Sequence, residues 1–160
     1  MSRDWFEGWP GQYRRMLRWR ERVRTAIENR LPGDDVYDFI YAFFQASYHL
    51  RDWLIGTEAC TEEELRVLFA KSSELALCRD ICNATKHLDY KRPGIDRAPR
   101  IGVEQNPFTK ENTWVLHSDK RRPIGDLIKD CVSEWERFLS AKSLLDSSGK
   151  PIPFEPRPPP

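Results

Sequence analysis

The sequence predicts a mainly α protein: an antiparallel helical bundle of four long helices plus one short one, with an inserted β-hairpin. Three observations carry this. Apolar residues recur at helical spacing over about 12–30, 34–55, 72–90 and 123–145, with a shorter run at 61–69. Breakers separate these stretches: Pro32-Gly33, Gly56 and the segment Lys91-Arg92-Pro93-Gly94. Only Ile101-Gly102-Val103 and Trp114-Val115-Leu116 read as strands, joined by turn formers around Asn106-Pro107 and Glu111-Asn112.

A chain of 160 residues with 39% hydrophobic content is enough for one domain with a sizeable core. Residues 1–147 are expected to form it, with the hairpin insertion at about 99–118, and 148–160 to form a Pro-rich extended tail. Met1 to Gly11 reads as an irregular lead-in whose Trp5 and Trp9 pack on the bundle. The first helix then presents Met16, Trp19, Val23, Ala26 and Ile27 on one side, and Arg14, Arg18 and Arg22 on the other. Asp34 or Asp35 is the expected cap of the second helix, whose stripe of Val36, Phe39, Ile40, Phe43, Ser47, Leu50 and Leu54 marks it as central. Thr61-Glu62-Glu63-Glu64 spells a capping box for the short third helix. Ser72 or Ser73 caps the fourth, which is expected to run to Leu88 or Tyr90. Pro123 fits the first turn of the fifth.

No apolar run is long enough for a membrane span and no secretory leader is visible, so a cytoplasmic protein is expected. The four cysteines, Cys60, Cys78, Cys82 and Cys131, sit in apolar surroundings and suit reduced thiols. Residues 1–31 and 86–122 are net basic, and the stretch between them is net acidic. A basic surface beside a polar site suits an anionic ligand such as RNA.

Chemistry concentrates on two helices. On the fourth, Leu77, Cys78, Ile81, Cys82, Ala84, Thr85 and Leu88 form an apolar arc, and Arg79, Asn83, Lys86 and His87 lie opposite. On the second, His49 and Asp52 are three apart on the face away from the core, so the carboxylate can orient or charge the imidazole. A solvated outer face is the plainer account of the polar stripe on the fourth helix. If the two faces meet, His49 and His87 supply an acid and a base for RNA phosphodiester cleavage. Lys86 or Arg79 then neutralises charge, Asn83 holds a phosphate or 2′-hydroxyl, and Asp52 supports His49. Further phosphate contacts are expected from the Arg14, Arg18 and Arg22 ridge and from Lys91 and Arg92. A metal centre built on His49, Asp52 and His87 lacks any standard ligand spacing, so no metal and no other cofactor is expected.

Helices of this size, with Cys82-Asn83-Ala84-Thr85-Lys86-His87 near the end of one, resemble HEPN domains, small helical bundles of bacterial toxins, defence systems and RNA-processing proteins. The family carries an arginine, a polar residue and a histidine on its last long helix. The polar residue and histidine match at Asn83 and His87; Cys82 stands where the arginine is expected, and Arg79 lies earlier. The resemblance implies RNA binding and a metal-independent endoribonuclease, acting as a homodimer that pairs two copies of the motif. Tyr48-His49-Leu50-Arg51-Asp52-Trp53 and Asn83-Ala84-Thr85-Lys86-His87 are also similar to strings in small bacterial proteins of uncharacterised activity. The competing expectation is a non-catalytic helical module that binds a protein partner or a second copy of itself.

Overall fold

The amphipathic stretches fold as the helices α1 (Gly8–Glu28), α2 (Gly33–Gly56), α3 (Glu62–Lys71), α4 (Ser73–Lys86) and α5 (Ile124–Ala141). Three strands, β1 (Arg100–Val103), β2 (Thr113–His117) and β3 (Lys120–Pro123), lie between α4 and α5 in sequence. The structure is a computed structural model that describes residues 7–86, 99–103 and 113–153.

α1 begins earlier than its pattern suggests, because Trp9 and Pro10 belong to its first turn rather than to an irregular lead-in. Proline is tolerated there, since its missing N–H would have no intrahelical acceptor anyway. Trp9 and Tyr13 are thereby sunk in the core. α2 starts at Gly33 behind Pro32, so Asp34 and Asp35 lie in its first turn and face the positive end of its dipole without capping it. The capping box of α3 forms as the sequence spells it. The Glu64 N–H donates to Thr61 Oγ1 at 3.2 Å, and the Thr61 N–H donates to Glu64 Oε2 at 2.9 Å. Ser72 caps α4, its Oγ accepting from the Leu75 N–H at 3.2 Å. Pro123 closes β3 and precedes α5, which stops at Ala141, short of the expected end near 145.

α2 is the central helix, packing against α1, α4 and α5. Ile40, Phe43, Phe44, Leu50 and Leu54 are fully buried. Trp135 of α5 meets Phe69 of α3 edge-on at 5.8 Å, and Phe69 meets Tyr48 of α2 in the same way at 5.8 Å, so three helices share one aromatic column. Buried polar groups tie the helices in register. Trp135 Nε1 donates to Ser47 Oγ at 3.0 Å, and Gln12 Nε2 donates to the Ala46 carbonyl at 2.8 Å. Among the described residues no helix is long and apolar enough to cross a membrane.

The expected two-stranded hairpin is a three-stranded antiparallel meander, in the order β1-β2-β3. The added strand, Lys120–Pro123, has no apolar pattern to announce it. It is created by the two-residue turn Ser118-Asp119, both at positive φ, the geometry that matches strand twist in a tight hairpin. Arg122 then fastens it to the bundle, pairing with Glu74 of α4 at 3.5 Å and with Asp130 of α5. At the other end, the Leu144–Ile152 segment folds back on itself, with Leu145 bridged to Pro151 and the Ile152 N–H donating to the Leu144 carbonyl at 3.0 Å.

Candidate functional site

Burial of Ser47, Leu50 and Leu54 turns the opposite side of α2, with His49 and Asp52, away from the core. Burial of Leu77, Cys78, Ile81 and Cys82 does the same for Arg79, Asn83 and Lys86 on α4. The two helices are neighbours, and their polar sides meet. Lys86 Nζ lies 3.1 Å from His49 Nε2. An ammonium can only donate, so this contact selects the tautomer with its proton on Nδ1 and a free lone pair on Nε2. Burial lowers the imidazole pKa below its ordinary value, the Lys86 charge lowers it further, and Asp52 partly opposes both. His49 is therefore neutral at pH 7 and has the basic nitrogen turned towards a cation.

Asp52 remains exposed and accepts from Arg51 Nη1 at 3.0 Å rather than from the imidazole. Arg51 also reaches Glu62 of α3 at 3.2 Å. Arg79 faces the same side of α4 as Lys86, two turns earlier, and with Tyr48, Arg51, Arg66 and Phe69 lines a cavity of about 470 Å³ between α2, α3 and α4. Its Nε is buried with no hydrogen-bond partner. Its ion pair with Asp80 is long, at 3.6 Å. Glu62 and Glu63 line the same cavity and hold Arg51 at 3.2 Å and Arg66 at 2.6 Å, so most of its positive charge is balanced and Arg79 is the arginine that carries an unpaired Nε donor there.

Asp80 is the residue that the sequence pattern leaves out. Its side chain is fully buried, an unusual place for a carboxylate. The signal was its spacing, three residues before Asn83, which puts it on the adjoining edge of the polar stripe. Asn83 itself is half-buried on that stripe. His87, Lys91 and Arg92 lie outside the described residues. Arg14, Arg18 and Arg22 are exposed on α1, as expected, but α1 packs on α2 and α5. Among the described residues no hydrogen bond or ion pair links this ridge to the α2–α4 seam. Arg14 instead pairs with Glu7, and Arg22 lies over the Trp19 ring at 4.5 Å.

No known protein family, curated protein or solved structure matches the chain.

Cys82, at the position where the HEPN motif carries arginine, is 1% exposed, and burial pushes its thiol up to about 11. Cys78 adds to the rise and Lys86 opposes it. The thiol stays protonated at neutral pH and is no nucleophile there. Cys131 is raised likewise by burial and by Cys78 beside it. Both α4 cysteines are buried, and among the described residues no three His, Cys, Asp or Glu side chains cluster as metal ligands would.

Proposed function

We propose that this is a HEPN-like RNA-binding protein, with a phosphodiester held at the seam of α2, α3 and α4 and cleaved there without a metal. The carrying observation is the contact of Lys86 with His49 Nε2, on the two helices that also supply Arg51 and Arg79 to the cavity. An incoming phosphate competes for the Lys86 ammonium, and its departure uncovers the imidazole lone pair of a histidine already held neutral. His49 then takes the proton of a 2′-hydroxyl, and the 2′-oxygen attacks phosphorus. The bond to the 5′-oxygen breaks, leaving a cyclic phosphate, and His87 returns a proton to the departing oxygen. Lys86 and Arg79 carry the extra negative charge of the transition state.

The test is binding and cleavage of a labelled RNA at low and high salt. Affinity should fall as salt rises, and Lys86→Gln should flatten that slope by about one unit. His49→Gln should slow cleavage by about a hundred-fold to ten-thousand-fold while leaving the fold intact. An RNA that does not bind even at low salt overturns the proposal, and cleavage indifferent to both His49→Gln and His87→Ala removes its catalytic half.

A second reading, the non-catalytic interaction module, is favoured by a groove of about 550 Å³ between α1 and α5. Val23, Ile27, Ile128 and Val132 line it, with Arg24 and Lys129 among its charged residues. Such a groove is suited to an amphipathic partner segment.

A further inference from the structure

The contact between Lys86 Nζ and His49 Nε2, at 3.1 Å, has room for one positive charge. With the imidazole neutral, Nε2 accepts from the ammonium. With the imidazole protonated, both groups only donate, and two cations face each other at hydrogen-bond distance. Among the described residues, Lys86 of α4 and Asp52 of α2 are the charged groups that act on the ring, and α1, α5 and β1, which also pack on α2, bring none to it. Asp52 is engaged by Arg51 at 3.0 Å, and Arg51 in turn by Glu62 of α3 at 3.2 Å. The Tyr48 ring lies 6.3 Å from the imidazole. Cys82, one turn before Lys86, feels both Lys86 and Asp52, but burial pushes its thiol up to about 11 and it carries no charge here.

An anion reverses this balance. A phosphodiester drawn to Lys86 occupies the ammonium, cancels the repulsion that keeps the second charge out, and accepts from an Nε2–H once the ring is protonated. Asp52 does not do this in advance, because it is exposed and already turned to Arg51. Proton and anion therefore favour one another. A ligand that makes a group easier to protonate binds more tightly where that group is protonated. Free His49 gives up its proton below the ordinary histidine value, because burial and then Lys86 oppose the charge. Anion-bound His49 gives it up at a higher pH. Affinity is greatest below the first of these values and is lost as pH rises through the second.

We propose that anion capture at the α2–α4 seam takes up a proton on His49, so that an RNA phosphodiester is held most tightly in mild acid and is cleaved only as that proton leaves again. This rests on the function proposed above and adds a regulation to it. The imidazolium is a clamp and the neutral imidazole is a base, and one ring cannot be both at once. Binding and cleavage accordingly have their maxima at different pH.

The experiment is fluorescence anisotropy of a labelled 2′-deoxy oligouridine, which offers phosphodiesters but no 2′-hydroxyl to attack, from about pH 5 to about pH 8, the range in which histidine changes charge. The full chain should bind it about ten-fold or more tightly at the acid end than at the other. His49→Gln should abolish that rise, and Lys86→Gln should weaken binding throughout. Cleavage of the matching ribo-oligomer by the full chain should slow as binding tightens. In the wild-type chain the His49 ring-proton resonance should titrate at higher pH with the deoxy oligomer present than without it, a readout that needs no variant to fold. Identical titration curves overturn the proposal. A rise that survives His49→Gln and disappears on substitution of His87 or His117, the other two histidines of the chain, overturns it as well. Binding that needs Lys86 but is equal at every pH overturns the proton coupling and leaves the seam standing. A wild-type chain that binds no oligomer at any pH overturns both.

Discussion

Ser47→Ala should destabilise the protein by far more than the loss of one small hydroxyl group suggests. Ser47 and Trp135 are both fully buried, and Ser47 Oγ accepts the indole N–H at 3.0 Å. The neighbours of that indole are rings, Phe69 at 5.8 Å and Phe138 at 6.3 Å between centroids, and neither offers a strong acceptor. The void left by one oxygen is too small for a water molecule, so the indole N–H is stranded in an apolar environment. A buried donor stripped of its partner costs about 1–3 kcal/mol. For a chain of this size each kcal/mol lowers the melting temperature by about 2–4 °C. Urea unfolding at equilibrium is the direct assay, with the midpoint falling and the slope unchanged. A second background isolates the cause. In Trp135→Phe there is no indole N–H to strand, so adding Ser47→Ala should cost no more than about 0.5 kcal/mol further. Equal losses in the two backgrounds would refute the reasoning and put the effect of Ser47 elsewhere in α2.

Removal of the capping box by Thr61→Ala should cost about 1 kcal/mol in the same assay, and Thr61→Asn should recover most of it. Folding should weaken in acid through His49: its folded pKa lies below the ordinary 6.5, so the chain is most stable above that value and loses this contribution as pH falls through the lowered one. His49→Gln should flatten that part of a stability–pH profile. Gly102→Val should lift Trp114, whose indole rests directly on the Gly102 backbone, off the sheet, at a cost of about 1–3 kcal/mol, and change its fluorescence. Cys78, Cys82 and Cys131, buried and held protonated in the case of the last two, should react with a thiol reagent only after denaturant is added.

Much of the bundle was legible because its helices are written as stripes. Met16, Val23 and Ala26, or Ile40, Phe43, Leu50 and Leu54, recur at helical spacing, and each is buried as that spacing requires. Local signals misled where one residue type serves two purposes. Pro10 is a breaker in mid-helix and harmless in a first turn, so the start of α1 was hidden. Lys120-Arg121-Arg122-Pro123 lacks strand formers because it is an edge strand, where lysine and proline are tolerated and guard against further pairing. The polar faces of α2 and α4 could be placed by periodicity. The approach of Lys86 to His49 could not, since it depends on how two helices pack. Asp80 escaped for a related reason: its neighbours Ile81 and Leu77 assign that sector of α4 to the core, and a carboxylate there breaks the pattern that periodicity relies on.

The three strands leave the bundle after α4 and rejoin it at α5, and those two helices pack against one another, with Arg122 riveted to both. Departure and return are therefore fixed by the scaffold itself. The entropy of closing such an excursion grows only with the logarithm of its length, by about 0.6 kcal/mol per doubling. The exposed turn between the strands at Ser118-Asp119 can consequently change in length at small cost, whereas the strands themselves are held by Val115, which belongs to the core with Leu75, Leu127 and Trp135. The buried side of the sheet is bound by the volume of the core, and its exposed turn at Ser118-Asp119 is not.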